Sequence, residues 1–136
     1  ASDIKFSYRG CDLDTNLIFI SATFKGKNDS SSNIKKKIVN LTERKKKDQP
    51  SKIKTCGSTF KNPKNNKAWS LIKSSGCASM EIGDAHISEK HNNFFVNKGN
   101  AKSQDLENLI NQVKSKVLDK TGIKLELEIE IIGKKI

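Results

Sequence analysis

The spacing of apolar residues predicts three helices, of which the last is the most regular. Over residues 104–120 the apolar positions follow the 3.6-residue period of an amphipathic helix: Leu106, Leu109, Ile110, Val113 and Val117. Ser103 is the expected N-cap of this helix and Gly122 its expected stop. Three apolar residues on one stripe, Ile34, Ile38 and Leu41, predict another helix over residues 33–47. The polar turn before this helix offers several N-caps.

The third predicted helix is shorter and covers residues 66–75. It follows an extended linker that begins at Pro50, and Gly76 is its expected C-terminal stop. Trp69 lies on the apolar side of this helix, which favours a place in the core over a role as a ligand platform.

Alternating apolar and polar residues predict short strands between these helices. Residues 3–9 and 17–24 are predicted to pair as a hairpin, and residues 85–87 and 93–96 form two further strands. Residues 123–131 alternate apolar with charged positions, and the charged positions are Lys124, Glu126, Glu128 and Glu130. This pattern predicts a half-buried strand whose polar face is mainly acidic. The order of elements predicts an α+β fold, a small mixed or antiparallel sheet with helices packed on it.

The charge of the chain points to an anionic partner. The 136 residues suffice for one domain with its own core, and the formal net charge is +11. Nucleic acid, an acidic membrane surface and a phosphorylated small molecule all fit this charge, and so does a general bias towards Lys, Asn and Ile. The lysine run 45–47 fits either a solvated helix end or a phosphate contact.

Cysteine usage and the apolar runs predict a reduced, soluble, cytoplasmic protein. The three cysteines, Cys11, Cys56 and Cys77, show no C-x-x-C spacing, and with two histidines they match no usual zinc pattern. We therefore predict no metal site. No apolar run approaches the roughly 20 residues that cross a bilayer, and no signal sequence is expected.

The segment CGSTFKNP, residues 56–63, has the composition of a binding loop. Gly57 lets the backbone turn, Ser58 offers a hydroxyl and Lys61 offers charge. Local composition also fits a turn without chemistry, as glycine-serine turns occur in many loops. His91 likewise fits a structural or a functional role, and alternation alone selects none of the three glutamates between residues 126 and 130.

Three separated motifs carry a resemblance to a known family. GSTFKNP, ISEKHNNFFVN and LELEIEIIG occur in this order, and they resemble the C-terminal half of UDP-N-acetylenolpyruvoylglucosamine reductases, the MurB family. Members of this family reduce enolpyruvyl-UDP-N-acetylglucosamine to UDP-N-acetylmuramate, with NADPH as hydride donor and FAD as carrier. The reaction belongs to peptidoglycan synthesis, and hence to cell wall biogenesis, cell shape and cell division.

The resemblance implies a domain organisation. Residues 1–25 correspond to the C-terminal strands of the FAD-binding domain, present as a β-hairpin. Residues 26–136 correspond to the MurB-type substrate-binding domain, in the subclass with shorter loops. FAD is then bound mainly by an N-terminal portion that this chain lacks, and the chain alone is expected to be inactive.

The resemblance also implies site residues. Ser58 is the implied general acid, and Arg9 and Glu128 act on the substrate carboxylate. Four further residues are implied contacts of the UDP-sugar: Tyr8, Asn62, His91 and Lys47.

The chain departs from the family pattern at Cys11, Asp84 and Asp48. Asp48 stands where a lysine commonly reaches a phosphate, so Lys46 or Lys47 takes over that contact in this interpretation.

The alternative function is a small basic nucleic-acid-binding module. The charge and the lysine runs favour it. Aromatic residues make up only 6% of the chain, and no RNP, KH or zinc-finger pattern is present, which argues against it.

Overall fold

The computed structural model describes residues 2–133, which divide into two compact units, Ala1–Ile34 and Lys35–Ile136. Within residues 2–133, three helices and two antiparallel sheets confirm the predicted α+β class. The elements in chain order are β1 (Phe6–Ser7), β2 (Gly10–Cys11), α1 (Ser31–Asp48), β3 (Lys54–Ser58), α2 (Ala68–Ser74), β4 (Glu81–Ile82), β5 (Ala85–Ile87), β6 (Phe94–Asn97) and α3 (Ser103–Thr121).

The first unit contains a hairpin that is tighter than the predicted one. β1 pairs antiparallel with β2, and Ser7 faces Gly10 across a two-residue loop. The predicted pairing of residues 3–9 with 17–24 is wrong, because residues 17–24 have no regular structure. A strand needs a hydrogen-bonding partner and a face to bury, and Ile20 remains 94% exposed within the described residues.

Helix α1 confirms the helix predicted over residues 33–47, with bounds one or two residues wider. Ser30 caps it, since its Oγ accepts a hydrogen bond from Asn33 N at 3.2 Å. None of its described residues is buried, and the stripe of Ile34, Ile38 and Leu41 is exposed. The helix therefore presents an apolar face that residues 2–133 do not cover.

The second unit is built on a four-stranded antiparallel sheet with the order β3-β6-β5-β4. Helix α3 packs on β4 and β5, and α2 packs on α3. Part of the linker predicted after Pro50 forms β3, a strand that the apolar pattern did not reveal. The core between sheet and helices is formed mainly by Phe60, Ile72, Ile87, Phe95, Leu109, Val113, Val117 and Leu125.

The structure corrects two predictions about the helices, the N-cap of α3 and the place of Trp69. Ser103 is the first residue of α3 and not its cap; the N-cap is Lys102, whose N–H donates to the Asp105 carboxylate at 2.9 Å. Trp69 is 42% exposed and does not belong to the core. Gly122 ends α3 as predicted, with a φ of 69° and an N–H that donates to Leu118 O at 2.8 Å.

The C-terminal segment does not form the predicted strand. Over residues 123–131 the only ladder contact among described residues is an isolated antiparallel bridge between Phe60 and Leu127. The segment runs beside residues 59–61, just beyond the end of β3, and there Thr59 N and both backbone groups of Phe60 already bond to Asn93. Leu125 is still buried, as the alternation predicts.

No helix within residues 2–133 combines the length and apolar character needed to cross a bilayer.

Candidate active site

Ser58 is the last residue of β3 and follows a β-bulge. Thr55 pairs with Val96 and Ser58 pairs with Phe94, so two residues of β3 oppose one residue of β6. Gly57 lies inside the bulge with a φ of 88°, a conformation that favours glycine. The bulge leaves Ser58 half-buried at the end of the strand.

The backbone after Ser58 is hydrogen-bonded to the C-terminal segment. Thr59 O accepts a hydrogen bond from Glu128 N at 2.9 Å, and Lys61 N donates to Glu126 O at 2.9 Å. These two bonds flank the bridge between Phe60 and Leu127. The fold thus places the backbone of Glu128 directly beside Thr59, the residue that follows Ser58, although the two are 69 positions apart.

Burial distinguishes Glu128 from its acidic neighbours. Glu128 is half-buried, whereas Glu126 and Glu130 are exposed. The period-two pattern did not separate the three, because it treats the segment as a regular strand. Glu128 is also the glutamate that the resemblance selected.

Asn62 anchors the start of α2. Its Oδ1 accepts a hydrogen bond from Ala68 N at 3.0 Å, and Ala68 is the first residue of that helix. The first N–H groups of a helix lack intrahelical partners, so a side-chain oxygen there stabilises the helix. Since the local N-cap, Lys67, makes no side-chain cap bond, Asn62 supplies this contact from outside the helix.

His91 is half-buried beside aromatic rings. Its ring packs edge-to-face on Phe94 at a centroid distance of 4.8 Å, and the Trp69 ring lies 6.5 Å away. Nδ1 accepts a hydrogen bond from Asn93 N at 3.3 Å, which assigns the proton of the neutral ring to Nε2. Burial lowers the pKa of His91, and the charge of Asp48 opposes this only in part. At neutral pH the side chain is therefore a hydrogen-bond donor without net charge.

Lys47 lies in the last turn of α1 and is exposed. The Lys90 ammonium donates a hydrogen bond to Lys46 O in the same turn. This contact brings the loop that leads to His91 against the end of α1.

Tyr8 and Arg9 form the loop of the hairpin in the first unit. Arg9 has a φ of 61°, and its guanidinium lies 5.5 Å from the centroid of the Tyr8 ring. Both side chains are exposed within that unit. A cation over an aromatic face is an attractive contact, so it restrains the direction of the guanidinium.

Comparison with known proteins identifies the family. The family model for the C-terminal domain of UDP-N-acetylenolpyruvoylglucosamine reductase matches residues 49–132. The chain belongs to this family. The reductase of Pelagibacter ubique is 50% identical over 135 residues, covering 97% of this chain, and that of a Wolbachia species from Drosophila simulans is 47% identical over 133 residues, covering 98%.

A solved structure supports the same assignment. The MurB reductase of Thermus caldophilus superposes with a TM-score of 0.78 at 32% identity, over 95% of this chain and 46% of that chain. The chain spans about half the length of the curated relatives it matches, 45% for the first two.

Sequence reasoning did not find three residues near the candidate site in the contacts that the structure shows. Thr55 and Asn93 bond the backbone on either side of Ser58, and Trp69 stands next to His91. A signal for Asn93 did exist, since two asparagines directly precede the apolar run of β6. Thr55 lies in the predicted linker, where nothing local marks a bulge.

Proposed function

We propose that this chain is the substrate-binding portion of a UDP-N-acetylenolpyruvoylglucosamine reductase. The full-length enzyme reduces enolpyruvyl-UDP-N-acetylglucosamine to UDP-N-acetylmuramate with NADPH and FAD, in the cytoplasmic stage of peptidoglycan synthesis. The observation that carries this proposal is the hydrogen-bonded junction between the residue after Ser58 and Glu128, in a chain that belongs to the MurB family.

The domain assignment is part of the proposal: residues 1–25 belong to the FAD-binding domain and residues 26–136 to the substrate-binding domain. The exposed apolar residues in 17–24 support this assignment, because they have the apolar pattern of a strand. In the proposal, the sheet that pairs with this strand belongs to the FAD-binding domain. The exposed face of α1 fits the same interpretation.

The described residues alone do not fit FAD. A flavin pyrophosphate usually lies at the N-terminus of a helix that follows a glycine-rich turn. Among residues 2–133 none of the three helices begins in this way; the residues before them are Asp29-Ser30, Asn66-Lys67 and Ala101-Lys102. We therefore assign FAD to the N-terminal half of the full-length enzyme, where the bound cofactor supplies the hydride.

Ser58 and Glu128 serve the other half of the reduction. Addition of hydride to one alkene carbon leaves a negative charge on its neighbour, delocalised into the substrate carboxylate. The Ser58 hydroxyl gives its proton to that neighbouring carbon, and the new C–H bond completes the reduction. Arg9 and Glu128 act on the carboxylate, where charge develops in the transition state, so they stabilise the transition state more than the substrate.

The remaining predicted residues bind the UDP-sugar. A neutral His91 offers its Nε2–H to a diphosphate oxygen, and Lys47 offers positive charge from the nearby end of α1. Asn62 and Tyr8 supply polar contacts to the sugar and the nucleotide.

Replacement of Ser58 by alanine in the full-length enzyme tests the proposal. Flavin reduction by NADPH should be unchanged, because it needs no proton from this residue. Flavin reoxidation by the enolpyruvyl substrate should slow by about 100-fold to 10,000-fold, the usual contribution of a general acid. Rapid-mixing spectrophotometry separates the two half-reactions, and equal slowing of both would show that Ser58 is structural.

A further inference from the structure

We propose that Thr55 and Asn93 are positioning residues that together direct the Ser58 hydroxyl at the reacting carbon. Thr55 closes the bulge before Ser58, and Asn93 holds the backbone after it. The inference rests on the proposed function, in which Ser58 is the general acid, and it adds two residues that do not touch the substrate.

The Thr55 hydroxyl bonds to both sides of the bulge. Its Oγ1 donates to Phe95 O at 2.8 Å on the neighbouring strand and accepts from Gly57 N at 3.2 Å. A bulge interrupts the ladder and leaves backbone groups to be satisfied in another way, and here one hydroxyl satisfies two of them.

The bulge matters because of the period of a strand. A shift of one residue in the register turns every following side chain to the opposite face of the sheet. If β3 lost its extra residue, Ser58 would face away from its present side. The Thr55 hydroxyl stabilises the bulged register over the regular one, and thereby selects the face on which Ser58 lies.

Asn93 holds the next residues with its side chain and its backbone. Its Oδ1 accepts from Phe60 N at 2.9 Å, and its Nδ2 donates to Phe60 O at 2.8 Å. Its own carbonyl accepts from Thr59 N at 2.8 Å. One carboxamide thus occupies both backbone groups of Phe60, as the peptide group of an additional strand would.

The two contacts enclose Ser58 along the chain. Thr55 lies three residues before it, and Asn93 bonds the two residues directly after it. Asn93 is 4% exposed, so its removal leaves the backbone groups of Phe60 without partners in a buried place. On the far side, Glu128 N bonds Thr59 O, so the same arrangement also sets the position of Glu128 relative to Ser58.

Asn92 provides a matched control. It is 6% exposed, nearly as buried as Asn93, and its Nδ2 donates to Ser88 O at 3.1 Å. N92A removes this bond together with a buried amide of the same size as that of Asn93. The Asn92 side chain has no described contact with the segment from Thr55 to Phe60. Alanine at Asn92 therefore reports the cost of a lost buried hydrogen bond by itself.

The experiment compares five variants of the full-length enzyme: T55V, T55S, N93A, N92A and S58A. Both half-reactions are followed by rapid mixing, and thermal unfolding is measured for each variant. T55V and N93A should slow flavin reoxidation by the substrate about 10-fold to 100-fold, since a misplacement near 1 Å can cost a factor of about 100. Their flavin reduction by NADPH should be unchanged.

The other variants complete the test. T55S keeps the hydroxyl and should retain the rate of flavin reoxidation, which separates the hydrogen bonds from the shape of the side chain. N92A should lower the melting temperature and leave both half-reactions intact.

Three results would overturn the positioning roles. They are equal slowing of both half-reactions in T55V, a T55S rate as low as that of T55V, and an N93A variant that loses stability without selective loss of reoxidation. N93A protein that does not fold leaves the T55V and T55S pair to decide. If S58A itself shows no selective loss, the proposed function has failed, and the comparison distinguishes this from a failure of positioning alone.

Discussion

At the scale of single residues, Glu128 differs from the glutamates on either side of it. All three share one sequence pattern, but only Glu128 is half-buried, and its N–H bonds to the residue after Ser58. A partly desolvated carboxyl interacts more strongly with nearby charge than an exposed one. Because of this difference, we predict a catalytic role for Glu128 and none for Glu126 or Glu130.

We expect E128Q to slow flavin reoxidation by the substrate strongly in the full-length enzyme. E126Q and E130Q are matched controls, and each should change the rate by less than about tenfold, roughly 1.4 kcal/mol of barrier. Rapid-mixing kinetics of the three variants decide the matter. Similar losses at all three positions would assign the effect to the charge of the surface and not to Glu128.

His91 predicts a dependence of stability on pH. Its pKa in the folded protein is lowered by burial, so the unfolded chain binds a proton more readily as the pH falls below about 6.5, the ordinary value for histidine. The stabilising contribution of neutral His91 is therefore complete above that pH and is lost as the pH falls towards the lower folded pKa. Protonation of Nδ1 also removes the acceptor for Asn93 N.

The measurement is thermal unfolding of the full-length enzyme between pH 8 and pH 5. H91Q should lose less stability over this range than the unaltered protein. His86 serves as the reference, because its pKa is also lowered, by burial first and then by the charge of Lys98. A pH profile that H86Q flattens and H91Q leaves unchanged would assign the effect to His86.

At the scale of elements, α2 depends on a residue outside it. Asn62 bonds the first N–H of this seven-residue helix, so N62A should lower the free energy of unfolding by about 1 kcal/mol, as for other N-terminal caps. N62D retains an acceptor oxygen and adds charge that suits a helix N-terminus, so its stability should be close to that of the unaltered protein.

N62D also separates stability from substrate binding. The carboxylate repels the substrate diphosphate and lacks the NH₂ donors of asparagine, so the variant should bind UDP-sugar more weakly. Chemical denaturation and titration calorimetry on the same full-length protein measure both effects. Unchanged binding by N62D would mean that Asn62 acts on α2 alone.

At the scale of the whole molecule, most of the exposed large apolar residues lie in the first 41 residues. Ile18, Ile20 and Phe24 are each more than 85% exposed, and the stripe on α1 is uncovered within the described residues. Such surface marks an interaction site. The curated relatives are about twice as long as this chain, and their additional length supplies a candidate partner. We infer that the N-terminal half of the full-length enzyme covers it.

This inference predicts that the chain of residues 1–136 binds no flavin and does not oxidise NADPH. The full-length enzyme should retain FAD and oxidise NADPH in the presence of the enolpyruvyl substrate. Absorbance spectra after gel filtration and a coupled NADPH assay compare the two proteins. A flavin band that remains with the shorter chain would place the cofactor site within residues 1–136.

The sequence by itself determined the helices and the family. Helical periodicity is a local property, because residues three and four apart share a face whatever the rest of the chain does, and so α1 and α3 were predicted within two residues. The sequence also predicted β5 and β6, but only the tertiary structure decided the remaining strands and the site. A strand depends on a distant partner: residues 17–24 had the pattern but no neighbour, β3 had a neighbour but no clear pattern, and the bulge before Ser58 exists only against β6. For the same reason the burial of Glu128 and the contacts of Asn93 around Ser58 depend on segments brought together by folding, which no local spacing encodes.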